Sequence, residues 1–330
     1  MLLDAPTLEQ FTDEMLASFP VSVRGYLLSW KLIFDAYAAS PFKIRADFTE
    51  GLKAENPLGP LLDFMFDVLG HSAGYPLKLE KEGILPEQIR HFDVKLADAE
   101  LEEKSMHWLM AHLFYLILKY IPGLFRTWYQ DCRSKQTKMA VESWTESFFS
   151  TLVIEDALDD VQTWLDSDDF NSSNEADIGV KVSKSGKEVT ITYEIDESEG
   201  AMAIKLPNNF PIEGVTARGI RRVAVNERKW QSWIMTTQGV ITFANGNIID
   251  GVQAFRRNLT GAIRGHSECA ICYSVISADQ RVPEKSCTTC KNLFHRLCLY
   301  KWFQTSNNNT CPLCRTPIDF AGASNIKRRN

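Results

Sequence analysis

The C-terminal part of the chain carries eight potential metal ligands in four similar pairs, and no other feature limits the fold as strongly. Two residues separate the members of each pair, and the pairs are Cys269–Cys272, Cys287–Cys290, His295–Cys298 and Cys311–Cys314. Structural zinc takes four ligands in a tetrahedron, and a two-residue spacer lets one turn present two of them. Eight ligands therefore predict two closed sites with no position left for water, which means two structural zinc ions.

Spacing alone does not decide which pairs share a metal. Seven of the eight cysteines lie in this cluster beside a histidine, which indicates metal binding rather than disulfides. The first twenty residues contain acidic side chains and no basic stretch, so no signal peptide is predicted. The apolar run Leu113–Leu118 is far shorter than a membrane span of roughly 18–20 residues. We therefore expect a soluble, cytoplasmic protein with no membrane partner.

Residues 1–165 are predicted to be helical, because apolar side chains recur there at spacings of three and four. Four stripes show this period: Tyr26, Leu27, Trp30, Ile33, Phe34 and Tyr37; Leu58, Leu61, Leu62, Met65, Phe66 and Leu69; Trp108, Leu109, Leu113, Leu116, Ile117 and Tyr120; and Val141, Trp144, Phe148 and Leu152. Their very roughly 35–50-residue separation suits the paired helices of a HEAT-like solenoid. A plain helical bundle fits nearly as well, so both remain open.

A stretch rich in Asp, Ser and Asn at 166–177 predicts a linker or long loop, and after it the apolar period changes to two. Three strands are predicted around Val180, Ile191 and Ile204, and a fourth over Gly219–Val225. Two helices follow, marked by Trp230, Trp233 and Ile234 and by Ile248, Val252, Phe255, Leu259 and Ile263. A four-stranded meander with helices on one face is an α+β domain.

Two prolines between the third and fourth predicted strands, Pro207 and Pro211, predict a rigid turn. This element order, with a proline turn after the third strand, resembles the RWD domain. Leu206 stands where that family usually has tyrosine before the first proline.

Charge is distributed unevenly along the chain. From Thr216 to the end there are 17 Lys and Arg against six Asp and Glu, a balance of +11. Because the whole chain has a net charge of −6, the preceding residues carry −17. A basic last third predicts contact with an anionic partner, although a solvated surface would account for the imbalance equally well.

The residues beside the metal ligands resemble those of RING ubiquitin ligases. The runs Cys269–Cys272, His295–Phe303 and Cys311–Arg315 carry the resemblance. Two other zinc modules fit less well. A histone-reading PHD finger usually has an aromatic residue where this chain has Asn309, and a phosphoinositide-binding FYVE finger needs a basic cluster that is absent.

The RING resemblance implies a cross-brace, in which the first and third pairs hold one zinc and the second and fourth pairs hold the other. The first set is Cys269, Cys272, His295 and Cys298, and the second is Cys287, Cys290, Cys311 and Cys314.

The same resemblance implies a docking groove for a ubiquitin-conjugating enzyme. Ile271, Trp302 and Pro312 fall on the family's groove positions, with Leu313 adjacent. Arg315 falls on the linchpin arginine that bridges the conjugating enzyme and ubiquitin. Transfer in this family needs no ligase cysteine.

From about Trp144 to Phe320 the chain resembles the C-terminal end of the listerin family, which joins a helical solenoid to an RWD domain and a terminal RING. The runs outside the RING that carry the resemblance are Glu227–Trp230, Asn245–Asp250 and Phe255–Asn258, while residues 1–140 match only loosely. Family members are far longer, so we expect this chain to be a fragment.

The listerin resemblance implies a ligase of ribosome-associated quality control, with ubiquitin, the large ribosomal subunit and its stalled nascent chain as further partners. Arg218, Arg221 and Arg222 are our candidates for the ribosome contact. The alternative is a binding module in which the RING is structural and the RWD domain recruits a partner.

The predicted organisation is therefore multidomain. A HEAT-like all-α region at 1–165 precedes an RWD-like α+β domain at 166–264, a zinc-bound cross-brace RING at 265–320 and a basic tail at 321–330.

Overall fold

A computed structural model of the protein describes residues 20–96, 102–167, 170, 178–195, 198–223, 225–263, 267–275, 277–278 and 281–318. The predicted basic tail at 321–330 and most of the predicted linker at 166–177 lie outside the described residues.

The first half of the described chain is helical, as its apolar period predicts. Its helices are α1 (Val21–Ala38), α2 (Phe42–Glu55), α3 (Leu58–Val68), α4 (Pro86–Arg90), α5 (Glu102–Tyr120), α6 (Pro122–Asp131), α7 (Lys135–Phe148) and α8 (Ser150–Leu165). In α1 the buried side chains include Val23, Tyr26, Trp30 and Phe34, which recur at three or four residues and so form one face. The same face packs on α5, whose residues Leu109–Tyr115 are all buried.

The fourth predicted stripe does not form one helix. Phe149 ends α7 and begins α8, so Leu152 lies on the second helix rather than on the helix of Val141 and Trp144. The Phe149 ring is fully buried against Trp144 and Phe114. Because Phe149 is apolar and buried, the helical apolar pattern continues through the point where the chain changes direction. The period alone therefore did not reveal the break between α7 and α8.

The second region contains the predicted four-stranded meander. Strands β1 (Ile178–Ser183), β2 (Glu188–Ile195), β3 (Ser198–Lys205) and β4 (Thr216–Arg221) pair antiparallel in chain order. In β2, Val189, Ile191 and Tyr193 are buried and alternate with more exposed residues, because successive side chains of a strand point to opposite faces.

The prediction of the fourth strand over Gly219–Val225 was wrong in its bounds, since β4 spans Thr216–Arg221. It is an edge strand with mostly exposed side chains, so it lacks the alternation that marks a half-buried strand.

Helices α9 (Glu227–Thr242) and α10 (Ile248–Ile263) follow the sheet, as predicted. The Trp230 ring of α9 packs against Gly219 of β4. A Cβ at Gly219 would lie only 2.3 Å from the indole nitrogen, so the absence of a side chain makes room for the ring. Trp233 and Phe255 are fully buried, and their rings meet at 6.1 Å.

Polar contacts join the helical region to the α+β domain. Arg126 of α6 is buried and donates hydrogen bonds to the carbonyl oxygens of Pro211 and Thr242. Burial lowers the pKa of Arg126 to about 10, so the guanidinium stays charged at neutral pH. Arg45 of α2 pairs with Asp250 of α10 at 3.1 Å. One apolar cluster runs from Val23 to Leu259, so the two regions share a core.

The last region is small. A hairpin of β5 (Lys285–Ser286) and β6 (Leu293–Phe294) precedes helix α11 (Arg296–Ser306). Its buried cluster is separate and consists of Cys269, Cys287, Phe294, Leu299 and Cys311. Across the described residues, no single helix is long and apolar enough to cross a membrane, and α5 with α6 meets that criterion only as a pair bent by 106°.

Candidate metal centre and its surface

The three Cys-x2-Cys pairs fold into the same turn. The residue after the second cysteine takes the left-handed conformation each time, with φ of 58° at Tyr273, 59° at Lys291 and 61° at Arg315. Its backbone N–H donates to the carbonyl oxygen of the first cysteine at 2.7, 2.9 and 3.0 Å, respectively. The first cysteine's N–H donates to the carbonyl oxygen five residues on, at 3.0, 3.0 and 2.8 Å. A repeated turn thus presents both sulfur atoms of each pair.

The fourth pair uses a helix instead. His295 is the N-cap residue of α11, and Cys298 lies in the first turn of that helix. The backbone N–H of Leu299 donates to the His295 carbonyl oxygen at 3.0 Å, which begins the helix. Residues three apart share a helix face, so the imidazole and the thiol point the same way.

The structure brings the pairs together as a cross-brace. Cys269, Cys272, His295 and Cys298 form one group and Cys287, Cys290, Cys311 and Cys314 the other, with all potential ligand atoms of a group within 4.8 Å of one another. These are the two sets that the RING resemblance implies.

The distances within each group fit zinc. A tetrahedral ion with Zn–S bonds of about 2.3 Å places its sulfur ligands about 3.8 Å apart. In the second group, Cys287 Sγ lies 3.5 Å from Cys314 Sγ, and Cys290 Sγ lies 3.7 Å from Cys311 Sγ. In the first group, Nδ1 of His295 lies 3.3 Å from Cys272 Sγ and 3.8 Å from Cys298 Sγ. Donor chemistry and spacing both agree with two structural zinc ions.

The thiolate form is favoured at three of the seven cysteines and opposed at two, because hydrogen bonding with Cys269 raises the pKa of Cys298 and burial raises the pKa of Cys311 to about 11. Hydrogen bonding from the Cys272 side chain lowers the pKa of Cys269. The backbone N–H of Cys290 lowers the pKa of Cys287 to about 6, and the Thr316 hydroxyl lowers the pKa of Cys314. Because the thiolate is the metal-binding form, these donors reduce the cost of deprotonation.

The outer contacts of the two groups differ. His295 Nε2 lies 3.2 Å from the carbonyl oxygen of Val275, which can accept its N–H and leave Nδ1 free for a metal. In the second group, Thr316 Oγ1 lies 3.0 Å from Cys314 Sγ and 3.7 Å from Cys287 Sγ. Sequence reasoning found neither Val275 nor Thr316, because nothing in the spacing of the ligands marks an outer contact.

The residues predicted to dock a conjugating enzyme lie on the surface of this region. Ile271 and Trp302 are partly buried and pack on its small core, while Pro312 is partly buried and Leu313 is 49% exposed. The Trp302 indole N–H donates to the Thr310 carbonyl oxygen at 2.9 Å, which fixes the orientation of the ring.

Arg315 is exposed, and its left-handed backbone belongs to the turn of the last metal pair. Cys132, the cysteine outside the cluster, lies in the helical region with its Sγ 3.7 Å from the Ser134 carbonyl oxygen.

The three candidate ribosome-binding arginines lie on β4 or directly after it. Arg218 pairs with Glu188 at 3.0 Å, and Arg222 pairs with Glu227 at 3.1 Å. All three residues are exposed. The structure therefore groups them on one edge of the sheet, with two of the positive charges already facing carboxylates.

Comparison with protein families finds three matches in chain order. Residues 1–162 match the HEAT repeat region of the LTN1 family, residues 178–261 a ubiquitin conjugating domain-like family, and residues 267–315 the Ring finger domain. The first match favours the HEAT-like interpretation over a plain helical bundle, and it includes residues 1–140, whose sequence resembles the family only loosely.

Curated proteins named E3 ubiquitin-protein ligase listerin match nearly the whole chain. The Neurospora crassa protein is 56% identical over 97% of this chain and 20% of its own length. The Schizosaccharomyces pombe protein is 36% identical over 91% of this chain, and the Saccharomyces cerevisiae protein 33% identical over 89%. The chain spans about a fifth of the length of these relatives.

Proposed function

The chain belongs to the listerin family and matches its C-terminal part, and from this premise we propose that it acts as a RING-type ubiquitin ligase. The observation that carries the proposal is the cross-braced pair of ligand groups with a surface apolar patch beside them, in which Leu313 is exposed and Ile271, Trp302 and Pro312 are partly buried. A rigid scaffold that presents an aliphatic and aromatic patch is a pre-organised anchor for a protein partner.

The proposed mechanism is non-covalent. Each ligand group supplies four protein donors, so zinc bound there would stabilise the fold without an open position for chemistry. The cysteines of this region are all ligands, and none is left as a ubiquitin acceptor. Ile271, Trp302, Pro312 and Leu313 would bind a conjugating enzyme that already carries ubiquitin as a thioester. Holding that thioester in one attack-ready conformation then accelerates aminolysis by a substrate lysine.

Arg315 would hold ubiquitin against the conjugating enzyme. Its guanidinium has five N–H donors in a planar fork, which suits it to bind carbonyl groups on two partners at once. Its side chain is exposed, and the adjoining Cys311–Cys314 turn fixes its backbone.

Auto-ubiquitination with purified enzymes tests the proposal. Trp302→Ala and Ile271→Ala should abolish transfer while both zinc ions remain bound, because they remove interface anchors and no ligand. Tyr300→Ala is the matched control, since Tyr300 is 40% exposed on the same helix and about 200° away from Trp302 around it. A wild type inactive with a broad panel of conjugating enzymes would favour the binding-module alternative.

Discharge of a preformed conjugating-enzyme thioester tests the role of Arg315. Arg315→Ala should slow discharge while leaving binding of the uncharged conjugating enzyme nearly intact. Arg315→Lys keeps the charge but lacks the planar fork, so it should restore little of the rate. Discharge by Arg315→Ala at the wild-type rate would show that this arginine is not the linchpin.

We further propose that the substrates are nascent chains stalled on the large ribosomal subunit, with the α+β domain contacting that subunit. The listerin membership and the basic last third of the chain support this proposal. If Arg218, Arg221 and Arg222 contact RNA, their combined replacement by Glu should weaken co-sedimentation with large subunits and flatten its salt dependence.

A matched charge reversal elsewhere separates a local contact from the change in net charge. Lys43, Lys53 and Lys135 are exposed on the helical region and can be replaced by Glu together. Free auto-ubiquitination should be unchanged in both triple variants. Equal sedimentation of the two at low and at physiological salt would show that the arginine edge is not the ribosome contact.

A further inference from the structure

The loop of the first metal pair rests on the two helices of the α+β domain. Lys229 of α9 pairs with Glu268 at 2.6 Å, just before the first ligand. The Arg228 guanidinium lies 5.5 Å from the centre of the Tyr273 ring and donates to its hydroxyl at 3.2 Å. The hydroxyl groups of Ser232 and Ser274 are 2.7 Å apart, and Ser274 is fully buried. Glu268 and Tyr273 thus contact the first turn of α9, and Ser274 contacts the next turn.

The next residue of the loop, Val275, packs into a notch in α10, which is the gap left by the missing side chain of Gly261. Val275 is 5% exposed, and its side chain lies directly over Gly261. A Cβ at Gly261 would come within 2.8 Å of one Val275 methyl group and 2.9 Å of the other. Side chains this close cannot coexist without a shift, so the missing Cβ of Gly261 is what lets Val275 seat there.

Val275 also contacts the metal group. Its backbone carbonyl oxygen is the one that lies 3.2 Å from His295 Nε2. A carbonyl that accepts the Nε2 hydrogen fixes the tautomer and the plane of the ring, and thereby directs the Nδ1 lone pair toward the metal. The position of this carbonyl depends on how Val275 seats on α10.

The second metal group is built differently. The outer contact described for its sulfur atoms comes from Thr316, two residues beyond its own ligand Cys314. This contact is internal to the zinc region, so a disturbance at Gly261 reaches the first group directly and the second group only through the rest of the fold.

We propose that the Gly261 notch of α10 is part of the outer shell of the first metal site, holding Val275 and through it His295, and that the same contact fixes the orientation of the zinc region on the α+β domain. Val275 and Gly261 are therefore positioning residues. The proposal concerns metal retention and orientation, and it does not depend on ligase activity.

The test follows zinc release from the full zinc-loaded chain to a chromophoric chelator in excess. Gly261→Ala should accelerate release of one of the two zinc ions about tenfold, the lower end of the effect of losing an outer-shell contact, and leave the other unchanged. Cadmium-113 NMR identifies the affected site, because a three-sulfur, one-nitrogen site and a four-sulfur site give separate resonances. Only the resonance of the mixed site should move.

Two glycine variants serve as controls. A Cβ at Gly51 in α2 meets no atom within 4 Å, so Gly51→Ala should leave both release rates unchanged. A Cβ at Gly251 in α10 would lie 2.6 Å from Ile241 inside the α+β domain, so Gly251→Ala strains that domain without entering the notch. Selective loss of the first zinc in Gly251→Ala as well would overturn the proposal, because general destabilisation would then suffice.

A rescue experiment completes the test. Val275→Ala removes the methyl groups that a new Cβ at Gly261 would meet while keeping the carbonyl, so the Gly261→Ala, Val275→Ala double variant should recover most of the lost retention. If Gly261→Ala does not fold, Ser232→Ala removes the hydroxyl contact to Ser274 and should accelerate the same zinc by a smaller factor. Equal acceleration of both ions, no acceleration in any variant that folds, or a double variant worse than both single ones would contradict the proposal.

Discussion

The core shared by the helical region and the sheet, and the zinc region after it, are stabilised in different ways. The shared core buries large side chains completely, among them Trp30, Phe114 and Trp233. Among the described residues of the zinc region, the buried apolar cluster has five members, three of which are metal-ligating cysteines. A segment of about fifty residues buries too little apolar surface to be stable by itself, so metal bonds replace a core. One chain thus contains a region stabilised by packing and a region stabilised by ligation.

The largest expected effect comes from removing a metal ligand, which should unfold the zinc region and leave the shared core folded. Cys287→Ser removes a ligand of the second group and should unfold residues 267–318 while residues 20–260 stay folded, because each structural zinc contributes on the order of 10 kcal/mol to folding. Metal analysis of the wild type should give two zinc ions per chain, and limited proteolysis should degrade only the zinc region of the variant. One zinc or none in reduced, intact wild type, or melting of the shared core on chelation, would show that the two regions are not stabilised separately by packing and by metal.

The converse change acts on packing alone. Phe114→Ala should lower the free energy of unfolding of the shared core by about 3–5 kcal/mol, because it leaves a cavity among large buried rings. The Phe114 ring contacts those of Phe66, Phe125, Trp144 and Phe149. Both zinc ions should remain bound, as measured by metal analysis alongside urea unfolding. Leu32→Ala, at a side chain that is 69% exposed, should change stability by less than about 0.5 kcal/mol.

Acid should weaken the packed region through a buried histidine. Burial lowers the pKa of His71 to about 4, and its ring lies 4.7 Å from the rings of both Phe66 and Trp144. Between pH 6.5 and 4 the unfolded chain binds a proton at this residue and the folded chain does not, so stability falls as the pH falls. If the unfolded chain has the ordinary histidine pKa of about 6.5, the free energy of unfolding is about 3 kcal/mol lower at pH 4 than at neutral pH.

His71→Phe should remove this part of the pH dependence, which urea unfolding of both proteins at pH 7 and pH 4 can measure. Burial also lowers the pKa of His107 and of His112, so some pH dependence should persist in the variant. Leu32→Ala changes an exposed side chain and no titratable group, so it provides the control and should keep the wild-type slope. An unchanged slope in His71→Phe would mean that this histidine is not buried as a neutral group.

The smallest expected effect concerns backbone strain in the zinc region. Lys291 has a φ of 59°, a conformation that costs a residue with a Cβ about 1 kcal/mol and glycine almost nothing. Lys291→Gly should therefore raise the denaturant midpoint of the zinc region slightly, whereas Lys291→Ala should not. If the two variants behave alike, strain at this turn does not limit the stability of the zinc region.

Much of this protein could be predicted from the sequence because the relevant signals are local. Ligands separated by two residues can be presented together by one turn or by the start of one helix. Alternating apolar residues such as Val189, Ile191 and Tyr193 share one face of a strand, and an apolar period of three or four forms a helical stripe. The first three strands, the helices with a marked apolar stripe and the eight ligands follow from such patterns, and the pairing of the ligands followed from the resemblance.

Tertiary structure decided what depends on residues far apart in the chain. The Phe149 corner continues an apolar pattern that cannot show a change of direction, and β4 lies at an edge where alternation fades. Gly261 and Val275 carry no signal singly, since a glycine in a helix and a valine in a loop are each unremarkable until they touch. A local sequence pattern indicates on which face of a helix or strand a side chain lies. It does not indicate which residues pack against that face, because steric fit depends on two surfaces together.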